Sequence, residues 1–141
     1  MTDDERIYDA VGGDGPFFEL VDEFYRRVEA KPALRGLYPP DLAPGKDHLA
    51  WFLIQRFGGP GHFSNCRGAP RLRMRHAHFA ITRAQRDAWV ECMAGAVGAV
   101  DAFAPYCAAM MDYFEHSATF LINREPPSGL RMSTVLDDSK T

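Results

Sequence analysis

Cysteine is scarce in this sequence: Cys66, Cys92 and Cys107 are the only three in 141 residues. An odd number with no C-x-x-C spacing excludes a disulfide framework and a cysteine-held zinc. The three are expected to be buried small hydrophobes, kept reduced in a cytosolic chain. No run of 18 apolar residues occurs, so no membrane span is expected. The first residues, M-T-D-D-E-R, lack the basic flank and apolar stretch of a signal peptide, and a cytoplasmic location is expected. Positive charge is not in excess either, with 16 Lys and Arg against 19 Asp and Glu for a net charge of −3. A nucleic-acid binder usually carries a basic surplus, so nucleic acid is not the expected partner. Strand patterning is nearly absent. L-R-M-R-H-A-H-F alternates briefly, but a lone short strand without a partner is not stable.

Apolar and aromatic residues are plentiful, at 46% and 12%, enough for the core of one domain. They recur at helical spacing between Gly and Pro punctuation, so the fold class is all-α. I-Y-D-A forms a first turn stopped by Gly12-Gly13. Pro16 suits the first position of a helix that carries Phe17, Leu20, Val21, Phe24, Tyr25 and Val28. Lys31-Pro32 ends it, because a residue before proline avoids the α region. P-A-L-R-G-L-Y-P-P reads as a short turn and Asp41 to Pro44 as a loop. A helix bearing Leu49, Phe52 and Leu53 follows and stops at Gly58-Gly59. The glycines and prolines of residues 60–71 predict an extended loop. Thr82 with Gln85 predicts a capping box, opening a helix whose apolar stripe runs from Ala88 and Trp89 to Val100. Pro105 is expected to start the last helix, with Cys107, Met110, Met111, Phe114, Ala118, Leu121 and Ile122 on its stripe. Residues 1–124 are read as the folded domain and 125–141, which lack periodicity, as a flexible tail.

Against the acidic background, residues 67–78 hold four arginines, Arg67, Arg71, Arg73 and Arg75, and two histidines, His76 and His78. Three readings compete: a patch for a polyanion, a metal site on the two histidines, and a site holding an acidic cofactor through one histidine. Residues two apart do not face each other on a helix, so a shared ion needs a strand there. On a helix, Leu72 shares the face of His76, and Phe79 follows beside it. A histidine facing an apolar slot with cations at the rim meets the needs of haem. The iron takes an imidazole nitrogen, the ring needs apolar walls and the carboxylates need basic partners. His48 is a further candidate for the rim. Tyr25, Tyr38 and Trp89 each carry a polar atom that needs a partner when buried. Together they offer three donors inside an apolar cavity.

In order along the chain, Y-D-A-V-G-G, F-Y, L-Y-P, G-G-P, R-G-A-P-R-L-R-M-R-H-A-H-F and R-D-A-W-V-E-C-M resemble the group II truncated haemoglobins over residues 7–124. The resemblance implies a two-over-two helical sandwich around haem b (iron protoporphyrin IX). It implies that His76 is the proximal iron ligand and that Tyr25, Tyr38 and Trp89 form a polar distal pocket with the apolar Leu49. Gly45 then stands where other globins carry a distal histidine. Phe52, Leu53, Phe63, Leu72 and Phe79 are expected against the haem, with Arg75 and His48 among its basic neighbours. Two departures stand out. His78 occupies a place expected for a non-ligating residue, and Phe63 stands where a tyrosine hydroxyl would reach a propionate. The expected function is tight, slowly reversed binding of O2, and binding of CO and NO. The alternative is a haem redox enzyme acting on peroxide or NO. It would need an outside reductase, since no flavin or nicotinamide motif is present. A monomer or homodimer is expected.

Overall fold

The computed structural model describes residues 6–77 and 79–124. His78 and the segment 125–141 therefore lie outside the described residues. Those described form helices and turns, with no strand among them. In chain order they are α1 (Ile7–Ala10), α2 (Gly15–Glu29), α3 (Pro32–Arg35), α4 (Ala43–Arg56), α5 (His62–Arg67), α6 (Leu72–His76), α7 (Arg83–Ala99), a 3-10 segment (Asp101–Tyr106) and α8 (Cys107–Phe120). No single described helix is long and apolar enough to cross a membrane.

Four long helices make two pairs, α2 with α4 and α7 with α8, and the pairs meet where α2 lies against α7. The sequence dictates this through its stripes. Phe17, Leu20, Val21, Phe24, Tyr25 and Val28 are all buried on α2, and Ala88, Cys92, Met93, Ala96 and Val97 on α7. Phe17, Phe24, Phe57, Phe103 and Phe114 are among the largest fully buried side chains. Each such burial stabilises the fold by roughly 1.5–3 kcal/mol. Gly95 admits the close approach of α2 to α7, since a Cβ there would lie 2.5 Å from Arg27 Nε. The capping box predicted at Thr82 is present, with Gln85 Oε1 accepting from the Thr82 amide at 2.9 Å.

Several local readings need correction. The last two residues of the loop expected over 41–44 already belong to α4. Pro44 has no N–H to leave unsatisfied there, and the Asp41 carboxylate accepts from the Ala43 amide at 3.1 Å. The loop expected over 60–71 encloses α5, six residues without a breaker. Its start is satisfied from outside: Ser64 N–H donates to Gln55 Oε1 at 2.9 Å, and Gln55 Nε2 donates to Ser64 Oγ at 2.8 Å. Pro16 is the second residue of α2, not the first. Pro105 lies inside the 3-10 segment, and α8 begins only at Cys107, so Leu121 and Ile122 fall beyond its end. Cys92 is buried as expected, but Cys107 is only partly so and Cys66 is exposed.

Candidate functional site

The fold encloses a cavity of about 570 Å³, a size typical of small-molecule and cofactor sites. It lies among α4, α5, α6, α7 and α8. Tyr25, Tyr38, His48, Leu49, Phe52, Leu53, Phe63, Leu72, Arg75, His76, Phe79 and Trp89 all line it. Sequence reasoning had no signal for Leu37, Ile81, Arg86 and Tyr113, which line it too. Each reads in sequence as an ordinary core or surface residue.

His76 ends the five-residue helix α6. Its Nδ1 lies 2.7 Å from the carbonyl oxygen of Leu72, one turn earlier. A carbonyl only accepts, so Nδ1 carries the proton and donates. A neutral ring in that tautomer has its lone pair on Nε2, the form in which imidazole binds a metal. The Phe79 ring sits beside it, with centroids 6.2 Å apart. α6 is a helix through His76 rather than a strand, and His78 lies outside the described residues. Among the described residues no three His, Cys, Asp or Glu side chains converge.

The arginines divide. Arg67 and Arg75 line the cavity, and both guanidinium groups lie over the Phe63 ring, at 5.9 and 5.4 Å from its centroid. Arg75 is also tied to backbone, donating to the carbonyls of Pro70 and Arg67 at 2.6 Å each and to that of Ala69 at 3.3 Å. Arg67 Nη1 lies 3.4 Å from His48 Nε2. A guanidinium only donates, so His48 Nε2 is the acceptor of that contact; burial, and then the Arg67 charge, lower the pKa of His48. Arg73 lies over Phe120, 5.0 Å from its ring centroid. Arg71 adopts a left-handed conformation, φ 44°, where α6 begins.

The polar wall is made of Tyr25, Tyr38 and Trp89. The two tyrosine rings meet edge to face at 5.7 Å, and Phe24 packs against Tyr25 at 5.4 Å and Trp89 at 5.2 Å. Tyr25 is only 5% exposed. Its hydroxyl has no hydrogen-bond partner among the described residues, and burial pushes its pKa up to about 12. Burial raises Tyr38 as well, partly opposed by the neighbouring Trp89 indole as a donor. Gly45 makes room: a Cβ there would stand 2.8 Å from the Tyr25 hydroxyl oxygen. A buried phenol left unpaired costs free energy unless a ligand in the cavity accepts from it. An apolar slot with an imidazole on one residue, an orphaned phenol on another and three arginines, Arg67, Arg75 and Arg86, fits haem.

Such a helical sandwich around a histidine-bearing cavity defines a globin. The bacterial-like globin family matches residues 6–121, and the chain belongs to that family, whose members carry haem. Within it the kinship is with the group II truncated haemoglobins. Group 2 truncated hemoglobin YjbI of Bacillus subtilis is 40% identical over 90 residues, 64% of this chain and 67% of the relative. Among solved structures, a hemoglobin from the thermophilic phototrophic bacterium Chloroflexus aurantiacus is 50% identical with a TM-score of 0.81, covering 84% of this chain and 98% of that one. A truncated oxygen-avid haemoglobin from Bacillus subtilis is 34% identical with a TM-score of 0.79, covering 83% and 98%. The two-on-two globin fold expected from the sequence is thus the fold of the chain.

Proposed function

We propose that this protein binds O2, and CO and NO with it, at haem b held by His76, and that it releases O2 slowly. The observation that carries this reading is the pairing, in one cavity, of the His76 ring, its Nδ1 held by the Leu72 carbonyl, with the buried Tyr25 hydroxyl that has no partner among the described residues. When bound, haem supplies an iron that takes small diatomic ligands. The residues do the rest. His76 offers Nε2, and its Nδ1–H bond to Leu72 keeps the ring from turning. Arg67 and Arg75 line the cavity as partners for carboxylates. Tyr25, Tyr38 and Trp89 donate hydrogen bonds to a ligand that gathers negative charge, and low dielectric strengthens those bonds. A charge-assisted bond contributes roughly 1.5–3 kcal/mol, and about 1.4 kcal/mol is a factor of ten. Two donors therefore slow O2 release by orders of magnitude, in keeping with the oxygen-avid Bacillus subtilis neighbour. Slow release suits scavenging, sensing or redox work in the cytoplasm better than delivery, and turnover needs electrons from a separate reductase.

The test is the optical spectrum of the protein as purified, after reduction, and then under CO and O2. A Soret band that responds to CO and O2, and that is lost or displaced in His76→Ala, is the expected result. A colourless protein, or a band indifferent to His76→Ala, overturns the reading. Stopped-flow mixing of the reduced protein with peroxide and with NO then separates ligand storage from redox turnover.

A further inference from the structure

The residue proposed to hold the iron sits on weak foundations. α6 has five residues, buries none of them fully and has no side-chain cap at its start. Helices this short do not persist alone, so other parts of the fold must hold α6. At its N-terminal side Arg75 does so through the carbonyls of residues 67, 69 and 70. At its C-terminal side the contact comes from far along the chain. Asn123 Nδ2 donates to the His76 carbonyl oxygen at 3.2 Å. The same amide accepts from the Ile81 N–H through Oδ1 at 3.0 Å. The network fixes which end is which, since a carbonyl must accept and an N–H must donate. The Asn123 backbone N–H returns a bond to the Ile81 carbonyl at 2.9 Å, and Phe79 N–H donates to the His76 carbonyl at 3.0 Å. Among the described residues the His76 carbonyl thus has two donors, one local and one from beyond α8.

We infer that Asn123 is a positioning residue for His76, fixing the C-terminal end of α6 and with it the orientation of the imidazole; the inference rests on His76 being the haem ligand. The ring hangs from a backbone held at two points, through Nδ1–H on Leu72 and through its own carbonyl on Asn123. Releasing the second point lets the last turn of α6 unwind. The Nδ1–H bond, which depends on helical register between residues 72 and 76, weakens with it. Because Asn123 also grips Ile81, which lines the cavity and immediately precedes the α7 cap, one amide ties α6, the start of α7 and the end of α8 together.

Two variants of the full-length, haem-loaded protein separate positioning from plain structural support. Asn123→Asp keeps an acceptor for Ile81 N–H but sets a carboxylate against the His76 carbonyl. Asn123→Ala removes both bonds. Two quantities are measured: the iron–histidine stretching band of the reduced, ligand-free protein by resonance Raman, and the rate of haem transfer to excess apomyoglobin. Thermal unfolding runs alongside. The expected result is a displaced or broadened band in both variants, with haem lost about two- to tenfold faster, the range one neutral hydrogen bond covers. If Asn123→Asp matches the wild type in band and rate while Asn123→Ala does not, Asn123 only supports Ile81 and the inference fails. An unaltered band in both variants overturns it equally. A wild-type protein with no iron–histidine band is a different failure, that of His76 as ligand.

Discussion

Replacing Gly45 with alanine tests whether the Tyr25 hydroxyl governs ligand release. The added Cβ would lie 2.8 Å from the Tyr25 oxygen, 3.7 Å from Cζ and 3.9 Å from Cε2. Ordinary contact requires the hydroxyl to retreat by roughly 0.6 Å or more. The ring has little freedom to comply, with Phe24 at 5.4 Å and Tyr38 at 5.7 Å meeting it edge to face. A displacement of that size degrades both length and angle of a hydrogen bond to a ligand. Losing about half of a charge-assisted bond, roughly 0.8–1.5 kcal/mol, speeds O2 dissociation about four- to twelvefold. Stability changes less. Alanine in a helix gains about 0.5–1 kcal/mol over glycine, and overpacking costs about 1–3 kcal/mol, so the net loss stays within about 2.5 kcal/mol. Stopped-flow displacement of O2 by CO reads the rate, and thermal unfolding reads the stability. Tyr25→Phe removes the hydroxyl that Gly45→Ala would strike, so the second substitution adds little in that background. A Gly45→Ala protein that releases O2 at the wild-type rate while Tyr25→Phe releases it faster would refute the steric reasoning. Equal acceleration by Gly45→Ala in both backgrounds would show position 45 acting without Tyr25.

Trp89→Phe removes the indole donor beside Tyr38 and keeps the aromatic packing against Phe24 and Phe114; O2 dissociation is expected to rise about tenfold. The same displacement assay checks it, and an unchanged rate removes Trp89 from the donor set. The tyrosines also predict a pH response. Burial raises Tyr25 from 10.0 to about 12 and raises Tyr38 as well, so the folded chain holds these protons more tightly than the unfolded one. Stability attributable to Tyr25 is therefore intact below pH 10.0 and is lost as pH climbs toward about 12. Unfolding temperature against pH should fall less steeply over that interval in Tyr25→Phe than in the wild type, and parallel curves would contradict the assignment.

The long helices were legible because their stripes bury one face, and burial leaves a period of three to four residues in the sequence. The cavity-lining aromatics and His76 were legible for a related reason: their own side chains face the site, and residue type carries the chemistry. What escaped shares a different cause. α5 takes its first-turn partner from Gln55 on α4, and no local pattern announces a partner on another helix. Pro44 looks like a breaker until its place in a first turn makes the missing N–H harmless. Asn123 reads as a polar residue after the last helix, and its partner is the carbonyl of His76, 47 positions away. Every residue but its side chain presents the same carbonyl, so a site built on main-chain acceptors leaves no signature at the accepting end. The arginine cluster shows the consequence. Its four guanidinium groups do not all serve anions. Arg75 donates to three carbonyls, Arg73 covers Phe120, and Arg71 turns the chain into α6. Most of that charge shapes and holds the segment that presents one imidazole, and only Arg67 and Arg75 line the cavity where an anionic group could meet them.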